Sequence, residues 1–219
     1  MDPQILQALL SALELKDVAT AAHTWRVTLY TRALAERFDT DADTLRRLTY
    51  AAALHDVGKI DVPMSILRKP GPLTHAEFEI VKAHPVRGHE RLLVMGETDE
   101  IILDLVRHHH ERWDGLGYPD GLAGEAIPMG ARFFTVIDTF DALTSFRSYR
   151  QEVGEEAAER AIEAIQRESG RRYWPPAVDE FVALHRAGHV DWIRNHFNDE
   201  APFAFDFAGV ERARPGMGP

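Results

Sequence analysis

Leu45-Arg46-Arg47-Leu48-Thr49-Tyr50-Ala51-Ala52-Ala53-Leu54-His55-Asp56-Val57-Gly58-Lys59 is the stretch from which the fold is read. Leu45, Leu48, Ala51, Ala52 and Leu54 recur at helical spacing on one apolar face. The segment therefore reads as a buried helix that opens after Thr40-Asp41 and stops near Gly58. His55 follows Leu48 by seven residues and points the way the buried face points, with Lys59 one turn beyond it. A His-Asp pair by itself says little, because most such dipeptides are surface pairs or a capping aspartate. Its meaning depends on what the rest of the chain places beside it.

Outward from this helix the periodicity stays helical. Asp2-Pro3 is a cap followed by a proline at the first helical position, and Ile5, Leu6, Leu9, Leu10 and Leu13 form a stripe, which predicts a helix over 2–16. A second helix is expected over 21–38 with Val27, Tyr30, Ala33 and Leu34 inward. Thr74-His75-Ala76-Glu77 is a capping box whose helix Pro85 interrupts or restarts. Helices are further expected over 97–110, 129–146, 155–169 and 176–196; the run from Phe133 to Ile137 has strand-like composition, but its length and flanks favour helix. Two segments break the pattern. Residues 61–73 hold Pro63, Pro70, Gly71 and Pro72, and residues 113–128 form a long loop rich in glycine and proline, of a length usually kept for function.

The expectation is one all-α domain, a helical bundle over residues 1–197 with the 2–16 helix packed on it, followed by a peripheral or flexible tail over 198–219. The 219-residue chain carries 25 Lys and Arg against 35 Asp and Glu, a net charge of −10, which argues against DNA as a partner. An anionic substrate needs positive charge concentrated locally. With no cysteine there is no disulfide, thiol nucleophile or Cys-ligated metal. The opening Met1-Asp2-Pro3 does not read as a signal peptide, and the longest apolar run, Tyr50 to Leu54, is far short of the roughly 20 residues of a spanning helix. No membrane partner is expected, and the cytoplasm is the expected location.

The chemistry lies in histidines and aspartates. Beside His55-Asp56 stand His23 in the preceding helix, His84 before a proline, His109-His110 at a helix end, and Asp138 among Phe133, Phe134, Val136, Ile137 and Phe140. An aspartate in apolar company calls for a cation. Imidazoles and carboxylates without thiolates suit Fe, Mn, Zn or Ni. The set exceeds what one metal requires and fits two ions about 3.5–4 Å apart, which clamp both oxygens of an in-line phosphoryl displacement and supply hydroxide from a bridging water.

These residues carry a family resemblance. His55-Asp56-Val57-Gly58-Lys59 resembles the HDxGK motif of the HD phosphohydrolases, and the stretch from His109-His110-Glu111 through Asp114-Gly115-Leu116-Gly117-Tyr118-Pro119 resembles the HHExxDGxGYP motif of the HD-GYP family. Residues 66–74, His84-Pro85 and the Asp138 helix are similar to that family's remaining segments, so the likeness runs over about 16–184. The resemblance implies an HD-type helical core with a long GYP loop and a phosphodiesterase that opens cyclic di-GMP, or a related 3′,3′-cyclic dinucleotide, to linear pGpG, with GMP as a further product left open. It implies His23, His55, Asp56, His84, His109, His110 and Asp138 as ligands of two divalent ions (Fe or Mn, with Ni or Zn as alternatives), Asp56 bridging. It implies Lys59 near the scissile phosphate, Tyr118 lining the guanine cleft, and Arg147 and Arg150 gripping substrate phosphates. The alternative is a catalytically weak receptor, or a module that binds a GGDEF-domain or other signalling partner.

Plainer readings attach to several residues. His75, His89, His108, His185, His189 and His196 read as ordinary, partly exposed side chains, and the triple histidine run allows a slip of one residue. Glu111 and Asp114 read as residues that orient ligands or pin the loop, Trp113 and Tyr118 equally as packing anchors, and Gly115, Gly117 and Gly121 as positive-φ positions. Phe146-Arg147-Ser148-Tyr149 departs from the family's Asp-Arg-Pro-Tyr. Some members hold a third metal with a glutamate one turn before the first histidine; here that position is Ala19, with Asp17 off the face, so two ions are expected.

Overall fold

Capping chemistry decides where this chain turns. The computed structural model describes residues 3–16, 20–145, 155–197, 205 and 207–213. In order these form α1 (Pro3–Lys16), α2 (Thr20–Ala35), α3 (Ala42–Leu54), α4 (Met64–Leu67), α5 (His75–Lys82), α6 (His84–Val94), α7 (Glu100–His108), α8 (Met129–Thr144), α9 (Glu155–Arg167), α10 (Pro175–Arg186), α11 (Asp191–His196) and α12 (Phe207–Arg212). Asp41 opens α3 by accepting the amides of Asp43 and Thr44 at 3.0 and 3.1 Å. Thr74 and Glu77 form the reciprocal capping box of α5, and α6 restarts with His84-Pro85 after the single residue Ala83. Among the described residues there is no strand, only the isolated bridges Asp114–Ala123 and Ser169–Tyr173. The architecture is the expected all-α bundle.

The bundle is built around α2, which packs against α3, α8, α10, α11 and α12. Its inward residues are not confined to one stripe: Thr24, Trp25, Arg26, Val27, Thr28, Leu29, Tyr30, Thr31 and Leu34 are all buried. A helix enclosed on every side shows that burial. Tyr30 meets Phe140 of α8 and Phe181 of α10 edge-on, with centroids 5.7 and 5.9 Å away. Those two rings meet each other at 5.0 Å. Each such pair adds about 0.5–1.5 kcal/mol beyond its buried area. Phe205 and Val210 are also buried, Phe205 against Trp25 at 5.1 Å.

Three element boundaries differ from expectation. The second helix gives way after Ala35 to a 3-10 turn over Glu36–Phe38 and a left-handed Asp39. The segment expected as one helix over 176–196 is two, α10 and α11, with Gly188 at φ 72° between them. And α3 ends at Leu54, before His55-Asp56, after which residues Val57–Asp61 form a 3-10 turn. Gly58 is therefore not a left-handed helix cap. It serves close approach: a Cβ at Gly58 would lie 1.9 Å from the His84 carbonyl oxygen and 2.6 Å from the Gly88 amide. The turn lies backbone to backbone on α6.

Gly58→Ala therefore forces two main chains apart. Overpacking of this kind costs about 1–3 kcal/mol, so thermal unfolding should fall by roughly 2–4 °C per kcal/mol in a chain of this size. An unchanged melting temperature would show the contact to be looser than described.

Candidate metal centre

Helix ends supply the site. His55 caps the C-terminus of α3, His84 follows α5 after one residue, and His109 caps α7. The last carbonyls of a helix have no amide partner within it, and each of these histidines uses one. His55 Nδ1 donates to Ala52 O at 2.8 Å, His84 Nδ1 to Val81 O at 2.8 Å and His109 Nδ1 to Val106 O at 2.9 Å. A carbonyl only accepts, so the proton sits on Nδ1 and Nε2 is turned toward the interior cluster.

Two triads result among the described residues: His84, His109 and His110 form one, and His23, His55 and Asp56 the other, each with ligand atoms within 4.8 Å of one another. Asp56 belongs to both sides. Its Oδ2 lies 3.2 Å from His55 Nε2 and its Oδ1 lies 3.2 Å from His84 Nε2. His84 Nε2 and His109 Nε2 are 3.0 Å apart, and His23 Nε2 and His55 Nε2 are 3.3 Å apart. Asp138 of α8 closes the open side, 4.0 Å from His23 Nε2.

The electrostatics favour ligation. Burial, reinforced by the neighbouring imidazoles, pulls His109 well below the usual range and His110 down to about 3, so both rings are neutral at pH 7. Burial opposes charge on Asp56, yet His55 and Lys59 outweigh it and hold the carboxyl well below its usual range. Imidazole nitrogens gathered around an ionised, two-sided carboxylate are donors of the type that suits divalent cations. Each triad has the donor types and spacing that could hold a metal ion.

Lys59 donates to Asp56 Oδ2 at 2.6 Å, with its side chain 25% exposed at the mouth of the cluster. Tyr118 packs its ring against His110, centroids 4.8 Å apart, and Lys82 Nζ stands 5.4 Å from the Tyr118 centroid. Burial, then Asp138 and Asp56, push the Tyr118 phenol up, which keeps it a donor. Arg147 and Arg150, like Asp17 and Ala19 ahead of α2 in the sequence, lie outside the described residues.

The register of the histidine run is set by α7. His108 turns away from the cluster, 3.0 Å from Asp120 Oδ2, while His109 and His110 face it. His108 and His185 are buried rather than partly exposed, His185 lying between Asp191 and Glu159. Glu111 and Asp114 stand apart from the triads and work on the loop. Glu111 accepts the amides of Asp120, Gly121 and Leu122 at 2.7, 3.0 and 3.1 Å. Asp114 binds Arg112 and the Leu116 amide. Gly115 and Gly121 have positive φ, but Gly117 is set by contact: a Cβ there would meet the Arg112 amide at 2.4 Å. Trp113 anchors the loop on Trp174 and through its amide on Arg172 O. Sequence reading missed Arg26 and Asp141, buried behind His23. Their signal was spacing, since each follows a candidate ligand by three residues on its helix.

The sequence pattern of the HD domain matches residues 7–177. The chain is 40% identical over 182 residues to the cyclic di-GMP phosphodiesterase response regulator RpfG of Xanthomonas campestris pv. campestris, covering 82% of this chain and 47% of that protein. It is 38% identical over 187 residues to a cyclic di-GMP phosphodiesterase of Thermotoga maritima, covering 84% and 49%. The chain thus spans about half the length of these curated relatives. Among solved structures, a cyclic GMP-AMP-specific phosphodiesterase of Vibrio cholerae, V-cGAP3, superposes with a TM-score of 0.65 at 16% identity, over 99% of this chain and 54% of that one, a likeness of fold.

Glu111 makes the loop testable. Glu111→Ala removes the acceptor of three amides, and losing about 1.4 kcal/mol or more of such bonding permits a tenfold rise in local opening. Hydrogen exchange at residues 120–122 should accelerate at least about tenfold while the α2 amides stay protected. Unchanged exchange would contradict the pinning role.

Proposed function

The chain belongs to the HD-domain family, in its HD-GYP branch, and on that premise we propose that it is a metal-dependent phosphodiesterase opening a 3′,3′-cyclic dinucleotide, cyclic di-GMP foremost, to the linear dinucleotide. The observation that carries the proposal is Asp56, whose two oxygens each face a different histidine triad. His23, His55, Asp56 and Asp138 would hold one ion, and Asp56, His84, His109 and His110 the other. Iron or manganese, by the donor set, supplies Lewis-acid charge and an activated water when bound. The cytoplasm, where nucleotides are made, is the proposed setting.

The chain's own residues do the rest. Ionised Asp56 holds the triads at fixed spacing and fixes Lys59 beside them through the 2.6 Å bond. From there the ammonium is placed to steady a phosphate oxygen as charge develops on it. Tyr118, kept protonated, presents a ring face and a hydroxyl donor beside His110. Its ring suits stacking of a nucleobase, and Lys82 adds a cation at the same edge. Arg147 and Arg150 are proposed, from sequence, to grip the substrate phosphates. These cations resolve how a chain of net charge −10 accepts a dianion.

Anaerobic reconstitution with Fe or Mn, followed by product analysis on cyclic di-GMP and cyclic GMP–AMP, tests the reading. The wild type should yield linear dinucleotide, Asp56→Ala should lose both metal and turnover, and Lys59→Ala should keep metal while kcat falls about 10²–10³-fold, the usual cost of one transition-state donor. A metal-replete wild type that leaves both nucleotides intact, or an Asp56→Ala protein of full activity, would overturn it.

A further inference from the structure

His23 differs from His55, His84 and His109 in what stands behind it. His55, His84 and His109 lie at helix C-termini, where unpaired carbonyls are available to Nδ1. His23 lies in the first turn of α2, an end that offers spare amides and no spare carbonyl. Its Nδ1 instead meets Asp141 Oδ2 of α8 at 2.8 Å. That carboxylate is 1% exposed and tied down on every side. Arg26 Nε donates to Oδ1 at 2.5 Å and Arg26 Nη2 to Oδ2 at 3.0 Å, while Ser145 Oγ donates to Oδ2 at 3.0 Å. Arg26 Nη1 donates in turn to Phe197 O at 2.8 Å, anchoring the guanidinium from a third element. With Arg26 paired to it, Asp141 is an acceptor only, so the proton between it and His23 belongs to Nδ1.

We infer that Asp141, held by Arg26, is the positioning residue of His23: it takes the Nδ1 proton so that Nε2 faces His55 and Asp138, and thereby sets the affinity of that half of the centre. The inference rests on the proposed two-ion reading for its consequence, though not for its geometry. One face of α8 delivers both the ligand Asp138 and, three residues on, the group that aims the facing ligand. In the half holding His84, His109 and His110, the first two have their own carbonyl acceptors, and that half does not depend on Asp141.

Asp141→Asn is the informative change, because it keeps shape and alters only what each atom donates. Arg26 Nη2 and Ser145 Oγ each keep another acceptor at 2.7 Å, Ser145 Oγ and the Asp141 carbonyl, so the amide oxygen stays with Arg26 Nε, the nearest donor, and the NH₂ turns toward His23 Nδ1. The ring must then accept at Nδ1 and carry its proton on Nε2, the wrong tautomer for a ligand. Nitrogen NMR of metal-free protein at about pH 8, with His23 assigned through His23→Ala, reads the tautomer directly. Wild type should carry the proton on Nδ1 and Asp141→Asn on Nε2. Titration with Mn²⁺ should then show one ion per chain bound about 10–100-fold more weakly in the variant, the other unchanged. A variant that keeps the Nδ1 proton and wild-type Mn²⁺ affinity would overturn the inference. Should Asp141→Asn fail to fold, the wild-type tautomer alone decides, and a proton on Nε2 would refute it. If wild type bound no ion yet showed the tautomer switch, the two-ion reading would fail while the positioning role stood.

Discussion

The backbone contact between Gly58 and residues 84–88 is the constraint on which the site depends. With no side chain at 58, the 3-10 turn after Asp56 lies directly on the first turn of α6. That contact brings Asp56 Oδ1 within 3.2 Å of His84 Nε2, although the two come from segments separated by α4 and α5. Move the turn outward by the width of a methyl group and the carboxylate keeps His55, its neighbour in sequence, but leaves His84. The centre would become two unconnected triads. Spacing along the chain supplies the candidate ligands; one glycine supplies their junction.

Charge is distributed with the same economy of position. Two ionised interior carboxylates, Asp56 and Asp141, each have a cationic side chain on one oxygen and an imidazole on the other, Lys59 with His84 and Arg26 with His23. Burying such charges is favourable only where partners are fixed in advance, and here α2, α3 and α8 fix them. His109 and His110 are held neutral chiefly by burial. An acidic chain thus gathers uncharged donors at its centre and leaves Lys59, Lys82 and Tyr118 at the rim.

Much of this was legible in the sequence, for identifiable reasons. The ends of helices are written in local chemistry, and so Thr74-Glu77, Asp41 and the helical class of Phe133 to Ile137 were readable. The long ordered motif around Tyr118 gave the loop, and Glu111 was readable as its pin. What escaped depends on two elements facing each other. The Arg26–Asp141 pair exists only once α2 lies against α8, and the close approach at Gly58 and Gly117 only once a second backbone arrives. Gly58 looked like a helix stop because glycine usually is one. His108 and His185 looked exposed because their carboxylate partners are distant in sequence or on another helix.

The central claim is that Asp56 joins two metal positions. Anomalous diffraction from crystals of the protein loaded with Mn²⁺ measures this directly. The account predicts two peaks about 3.5–4 Å apart, one beside His23 and His55, the other among His84, His109 and His110, with an oxygen of Asp56 within bonding distance of each. A single peak, or two peaks of which only one touches Asp56, would contradict it.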